Sequence, residues 1–234
     1  MKKTQLCTIL VLVLGVLPFQ AAGASGTAEH SPRYDFQNFD SIEVQAGIQV
    51  EVLEGDNKVE LVQTPKPERL DVRQSGNTII FGFKPLFWDT SFGPTKFKVW
   101  VPRLRSVALS GGAGARFFRT VGGDLTLELS GGAHADGAFE GDRLKVHLTG
   151  GSVAELRGLA KTADISNSGG AQFHARDFVA EEADVQLSGG AGAQLRIVHQ
   201  AQIDASGGAT LEYSGRPSVR QNVSGGATVR SFGD

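Results

Sequence analysis

Residues 125–136 read LTLELSGGAHAD, and this stretch decides the fold. Leu125, Leu127 and Leu129 alternate with Thr126 and Glu128, the period of two that marks a strand with one buried face. Ser130-Gly131-Gly132-Ala133 then turns the chain, and Ala133 and Ala135 resume the apolar side opposite Asp136. Outward from here the S-G-G-A motif recurs at Ser110, Ser168, Ser188, Ser206 and Ser224, with a degenerate T-G-G-S copy at Thr149. Successive copies stand 20, 19, 19, 20, 18 and 18 residues apart, close enough to one period to mark a structural repeat. The same alternation precedes other copies, as Leu144, Val146 and Leu148 or Ala183, Val185 and Leu187. No stretch shows apolar residues at helical spacing between caps.

One coil per repeat satisfies these observations, because stacked coils pair equivalent strands in parallel and align equivalent side chains in columns. The predicted fold is therefore all-β, a right-handed parallel β-solenoid (single-stranded β-helix) with coils of about 18–20 residues. Leu127, Val146 and Val185 are expected in one interior column. The corner glycines are Gly111, Gly112, Gly131, Gly132, Gly169, Gly170, Gly189, Gly190, Gly207, Gly208, Gly225 and Gly226. A tight corner often needs positive φ and leaves little room for a Cβ. On that reading Gly132→Val disrupts one coil and its neighbours. Each repeat reads as strand, corner, strand and variable return.

The first residues set the compartment. Lys2 and Lys3 precede an apolar run from Ile9 to Leu17 and the small residues Ala21 to Ala24, the order of a secretory signal peptide. Residues 1–24 are read as that signal, 25–35 as a flexible segment, and 36–234 as one solenoid domain. Within it, residues 36–105 hold N-terminal strands and an aromatic loop, and 106–234 hold seven coils. No segment has the roughly 20 apolar residues of a membrane helix. Cys7, the one cysteine, lies in the signal, so the mature chain has no disulfide and no thiolate metal ligand. Taking Lys2 and Lys3 from 23 basic residues leaves 21 against 25 acidic ones, and no basic stripe favours a nucleic-acid partner.

Residues 36–105 lack the motif but alternate, as Ile42, Val44, Ile48, Val50 and Val52 do around Gly47. FDSIEVQAGIQVEVLEG at 39–55, GNTIIFGF at 76–83 and VWVPRLRSVALSGGAGA at 99–115 together resemble the bacterial family described as putative auto-transporter adhesin, head GIN domain. The likeness covers about residues 36–230. It implies a β-solenoid, an exported location at the periplasm or cell surface and an adhesin-like role, and it implies no catalytic residues.

Stacking would set equivalent residues in columns where chemistry could assemble. Four places before the motif they read Ser106, Thr126, Lys145, Asp164, Asp184, Gln202 and Arg220. Asp164 and Asp184 would stand about one strand spacing apart, near the separation of roughly 5 Å used by retaining glycosidases. Lys145 beside them favours ionisation and a solvated polar face instead. At the sixth place after each motif serine the column reads Arg116, Asp136, Glu155, His174, Gln194, Glu212 and Arg230, with Arg116 expected to meet Asp136 and Glu212 to meet Arg230. That variety does not support a calcium-binding repeat. No histidines share a metal-ligand spacing, and neither a metal nor a cofactor is expected. Phe87, Trp88 and Phe92 in the loop 84–95 form either a cap over the solenoid end or an aromatic binding platform, and Trp100 is predicted to face outward near them. The reading is an exported binding module without catalysis, its partner a polysaccharide or an envelope protein. The alternatives are a polysaccharide hydrolase or lyase, with the aspartate pair at the floor of a cleft, and a self-assembling structural protein. Oligomeric state is left open.

Overall fold

A computed structural model describes residues 33–84 and 93–232. The signal reading of 1–24 lies outside them. The described chain is built of stacked strands joined by tight corners. After the short β1 (Arg33–Tyr34), β2 (Ser41–Val44) and β3 (Gln49–Glu54) flank the first corner. They are followed by β4 (Lys58–Gln63), β5 (Leu70–Ser75), β6 (Thr78–Phe83) and β7 (Lys96–Val101). The motif coils then run through β8 (Ser106–Leu109), β9 (Gly114–Val121), β10 (Asp124–Leu129), β11 (His134–Leu148), β12 (Val153–Asn167), β13 (Gln172–Leu187), β14 (Gly192–Ala205), β15 (Thr210–Ser214), β16 (Ser218–Val223) and β17 (Thr228–Ser231).

The predicted interior column exists. Leu127, Val146, Ile165, Val185 and Ile203 are Cα partners in successive parallel strands, all buried. Three further layers extend it on the N-terminal side, since Leu127 pairs with Val107, Val107 with Ile42 and Ile42 with Ile79. Asn167 takes the place of a leucine in the neighbouring column, and its amide donates to the Gly192 carbonyl at 3.0 Å across the interior. After the corner, Ala113, Ala133, Ala171, Ala191 and Ala209 are buried, as the close approach of two sheets there requires. In the degenerate copy Ser152 takes that place, its buried hydroxyl donating to the Thr149 carbonyl at 2.9 Å.

In the five middle motif corners the two glycines are of two kinds, whereas in the first and last corners both hold positive φ (Gly111 +62°, Gly112 +84°, Gly225 +69°, Gly226 +98°). Gly131, Gly150, Gly169, Gly189 and Gly207 have φ between +71° and +74°, whereas Gly132, Gly151, Gly170, Gly190 and Gly208 lie outside the left-handed region. A Cβ on Gly132 would meet nothing within 4 Å, so the steric reason for expecting Gly132→Val to break a coil is absent. Both glycines are exposed, so interior space does not select them. The coil beneath selects the first one: a Cβ on Gly150 would stand 3.0 Å from the Gly131 carbonyl oxygen. That carbonyl already accepts the Gly151 N–H at 2.8 Å, and the equivalent bond recurs at 2.7 Å from Gly170, Gly190 and Gly208.

The variable return is not a loop. β11 to β14 run unbroken from one corner to the next and bend midway, where the register slips between Gly137 and Phe139, Glu155 and Gly158, and Ala175 and Val179. These slips absorb repeat lengths of 18 to 20 residues while the corners stay aligned.

Layer order departs from chain order at the N-terminal side. β2 pairs with both β6 and β8, and β3 with both β7 and β9, so residues 41–54 lie between the layer formed by β6 and β7 and the first motif coil. Val44-Gln45-Ala46-Gly47-Ile48 is thus another corner, stacked against Leu109-Ser110-Gly111-Gly112-Ala113. Ala46 holds φ +55° where the repeat has glycine. Because the left-handed region costs an L-residue roughly 1–2 kcal/mol, partly offset by the larger unfolded entropy of glycine, Ala46→Gly is expected to stabilise by about 0.5–1 kcal/mol. A thermal melt reads this as a Tm higher by roughly 1–4 °C. Antiparallel strands close this side: β5 pairs with β6, β4 with β7, and β1 with β4.

Candidate functional site

Outward-facing residues of the strands before the corner form two polar columns. One runs Thr126, Lys145, Asp164, Asp184, Gln202 and Arg220, each the Cα partner of the next. Asp164 and Asp184 are therefore neighbours, about 4.8 Å apart along the stack. Asp164 is exposed and Asp184 half-buried, and the Gln186 amide donates to Asp184 Oδ1 at 3.5 Å. The pair shares a surface depression of about 250 Å³ with Lys145, His147, Ser166 and Gln186.

The second column reads Glu43, Ala108, Glu128, His147, Ser166, Gln186, Asp204 and Asn222. Ala108 leaves a gap between Glu43 and Glu128, and a depression of about 410 Å³ opens there, edged by Ser110, Ser130, Thr149 and His147. His147 belongs to both depressions, so they form one continuous polar face. Sequence reasoning did not single out this second depression. Its signal was the one apolar residue, Ala108, in an otherwise polar column.

The sheet after the corner carries a charged column. Lys98 stands 3.6 Å from Glu51, and Arg116 stands 3.5 Å from Asp136 as expected, with Arg157 reaching Asp136 at 3.9 Å. Glu212 lies in register with Arg230, but its ion pair is with Arg176 at 3.0 Å, and Gln194 donates to the same oxygen at 2.9 Å. Long side chains reach across two coils here, which column position alone does not reveal. Such exposed pairs contribute little each, about 0–1 kcal/mol.

Trp100 faces outward but is half-buried and already occupied. Lys58 Nζ lies 4.5 Å from the ring centroid and also 2.8 Å from Glu60 Oε2, which holds the Glu60 carboxyl below its usual range. Lys58 pairs with Trp100 across the antiparallel β4 and β7. Phe87 and Trp88 lie outside the described residues. Among the described residues, no group of three or more His, Cys, Asp or Glu side chains could hold a metal ion, and no helix is long and apolar enough to cross a membrane.

Comparison with known proteins adds the family. The family described as "Putative auto-transporter adhesin, head GIN domain" matches residues 38–217. No curated protein matches the chain. A crystal structure described as a putative adhesin from Bacteroides fragilis superposes with a TM-score of 0.79 at 16% identity, covering 86% of this chain and 96% of that one. One described as a putative lipid binding protein from Parabacteroides distasonis gives 0.70 at 14% identity, covering 87% and 96%. A putative adhesin from Parabacteroides merdae gives 0.68 at 19%, covering 87% and 95%. At these identities the structures establish the fold alone.

Proposed function

Because this chain belongs to the family described as putative auto-transporter adhesin, head GIN domain, we propose that it is an exported binding module that holds a polysaccharide against the polar face of the strands before the corner. One observation carries the reading: carboxylate, imidazole, amide and hydroxyl groups stand in register at every strand spacing across two adjoining depressions. A repeating polyhydroxylated chain offers donors and acceptors at its own regular spacing, so an in-register row of acceptors and amides can meet several units at once. The affinity of each contact is modest, and their number along one rigid face supplies the rest by effective concentration. The face on the other sheet fits this role less well, because its charges already satisfy one another.

A glycan array probed with the purified protein tests the assignment. Glycans retained by the native chain are expected to lose roughly tenfold or more in affinity with Asp164→Ala/Asp184→Ala or His147→Ala, a loss of about 1.4 kcal/mol. These side chains are surface groups, so the Tm is expected to stay within about 2 °C of native, corresponding to at most about 0.5 kcal/mol. Trp100→Ala, on the other face, should leave binding intact. Retention of no glycan at all, or equal binding by every variant, would sink the proposal, and release of new sugar ends would move it to the hydrolase or lyase alternative.

A further inference from the structure

The two ends of the stack differ. Antiparallel strands cover β6 and β7 on one side, whereas β16 pairs only with β14 and β17 only with β15 among the described residues. All six residues of β16 are exposed. One layer inward, Ala201, Ile203 and Ala205 are at most 3% exposed, while their partners Val219 and Val223 are 38% and 39% exposed. An unblocked edge of this kind presents a row of unused backbone donors and acceptors. Pro217 precedes the strand, and neither a proline nor a bulge interrupts it.

The geometry points to a twofold, end-to-end dimer of this chain through β16. The strand reads Val219-Arg220-Gln221-Asn222-Val223, and reversal restores valine, glutamine and valine at its inward positions. An antiparallel pairing centred on Gln221 therefore sets Val219 against Val223 of the second copy and Gln221 against its own equivalent. A primary amide carries both donor and acceptor, so the two glutamines satisfy each other where an apolar column would otherwise end in a lone polar group. A rotation axis through the end plane, perpendicular to β16, also lays β17 on its equivalent, as an isologous contact requires.

Charge agrees with this register. Arg220 comes opposite Asn222 of the second copy, and Asn222 is the Cα partner of Asp204 in the layer behind. Arg220 is thus two strand spacings from the other copy's Asp204, the reach that Arg176 already makes to Glu212 within this chain. Neither Arg220 nor Asp204 has an ion-pair partner among the described residues. Arg220, Asp204 and Asn222 continue the two polar columns to this end but line neither depression, so the contact does not rest on what the depressions bind.

Light scattering on the eluting peak over a dilution series is expected to give twice the chain mass. Val219→Lys/Val223→Lys, which changes only exposed positions, should give the monomer with an unchanged circular dichroism spectrum. Arg220→Glu should raise the dissociation constant by about tenfold, since two symmetry-related pairs become repulsive, and adding Asp204→Arg should restore it. With Cys7→Ser removing the one native thiol, Gln221→Cys should cross-link into dimers in air, and Ser75→Cys at the covered end should not. A monomeric mass throughout, or a dimer that survives the double lysine variant, would overturn the proposal. A monomer whose β16 amides resist hydrogen exchange would also overturn it, assigning the edge to another part of the same chain.

Discussion

Replacing Gly158 by alanine is expected to lower stability by about 4 kcal/mol, a fall in Tm of roughly 8–16 °C, as read by a thermal melt of the purified variant. Gly158 sits at the bend of β12, between Phe139 of the coil below and Phe178 of the coil above. Both phenylalanines are fully buried. Its φ is +120°, a conformation L side chains rarely adopt, and a Cβ would stand 2.0 Å from the Phe139 carbonyl oxygen. The obstacle is backbone, which cannot rotate aside as a flexible side chain would. Two costs therefore add, conformational strain and overpacking at a site held from both sides. A melt within about 1 kcal/mol of native, or roughly 4 °C, would mean that the bend relaxes freely and that the ladder through it is not rigid.

The second large effect comes from one corner with two outcomes. Gly131→Val is expected to cost about 3 kcal/mol, and Gly132→Val no more than about 1 kcal/mol. Gly131 has φ +71° and its Cβ would lie 3.3 Å from the Gly111 amide nitrogen, while its carbonyl must stay in place for the Gly151 N–H. A β-branched side chain resists that φ more than alanine does, because its χ1 wells are narrow. Gly132 lies outside the left-handed region, with open space where a Cβ would point. Paired urea titrations of the two variants separate them by midpoint. Equal midpoints would show that the corner is selected by flexibility rather than by the φ of its first residue.

These two sites also mark how far sequence carries. The corner pairs were visible because they recur with the period, yet their inequality was not, since both positions are glycine in all seven copies. Gly158 was invisible as a structural requirement. It belongs to the return, where repeat lengths vary, and its reason is a neighbour 19 residues away in the preceding coil. The polar pair Asp164 and Asp184 was placed correctly by counting back from the motif. The depression beside Ala108 was not, because an absent side chain makes a cavity only when its neighbours in the stack are known.

Alternation of apolar and polar residues, repeated with a nearly constant period, was enough to determine the coil, the interior columns and which residues face out. Backbone pairing at a fixed strand spacing leaves one way to superpose such repeats with their apolar sides together. Tertiary structure alone decided that residues 41–54 slip between the β6–β7 layer and the first motif coil, that Lys58 covers Trp100, and that Glu212 pairs with Arg176. Each of these depends on contacts between segments that share no period, where long side chains and chain crossings choose among partners that local sequence leaves equivalent.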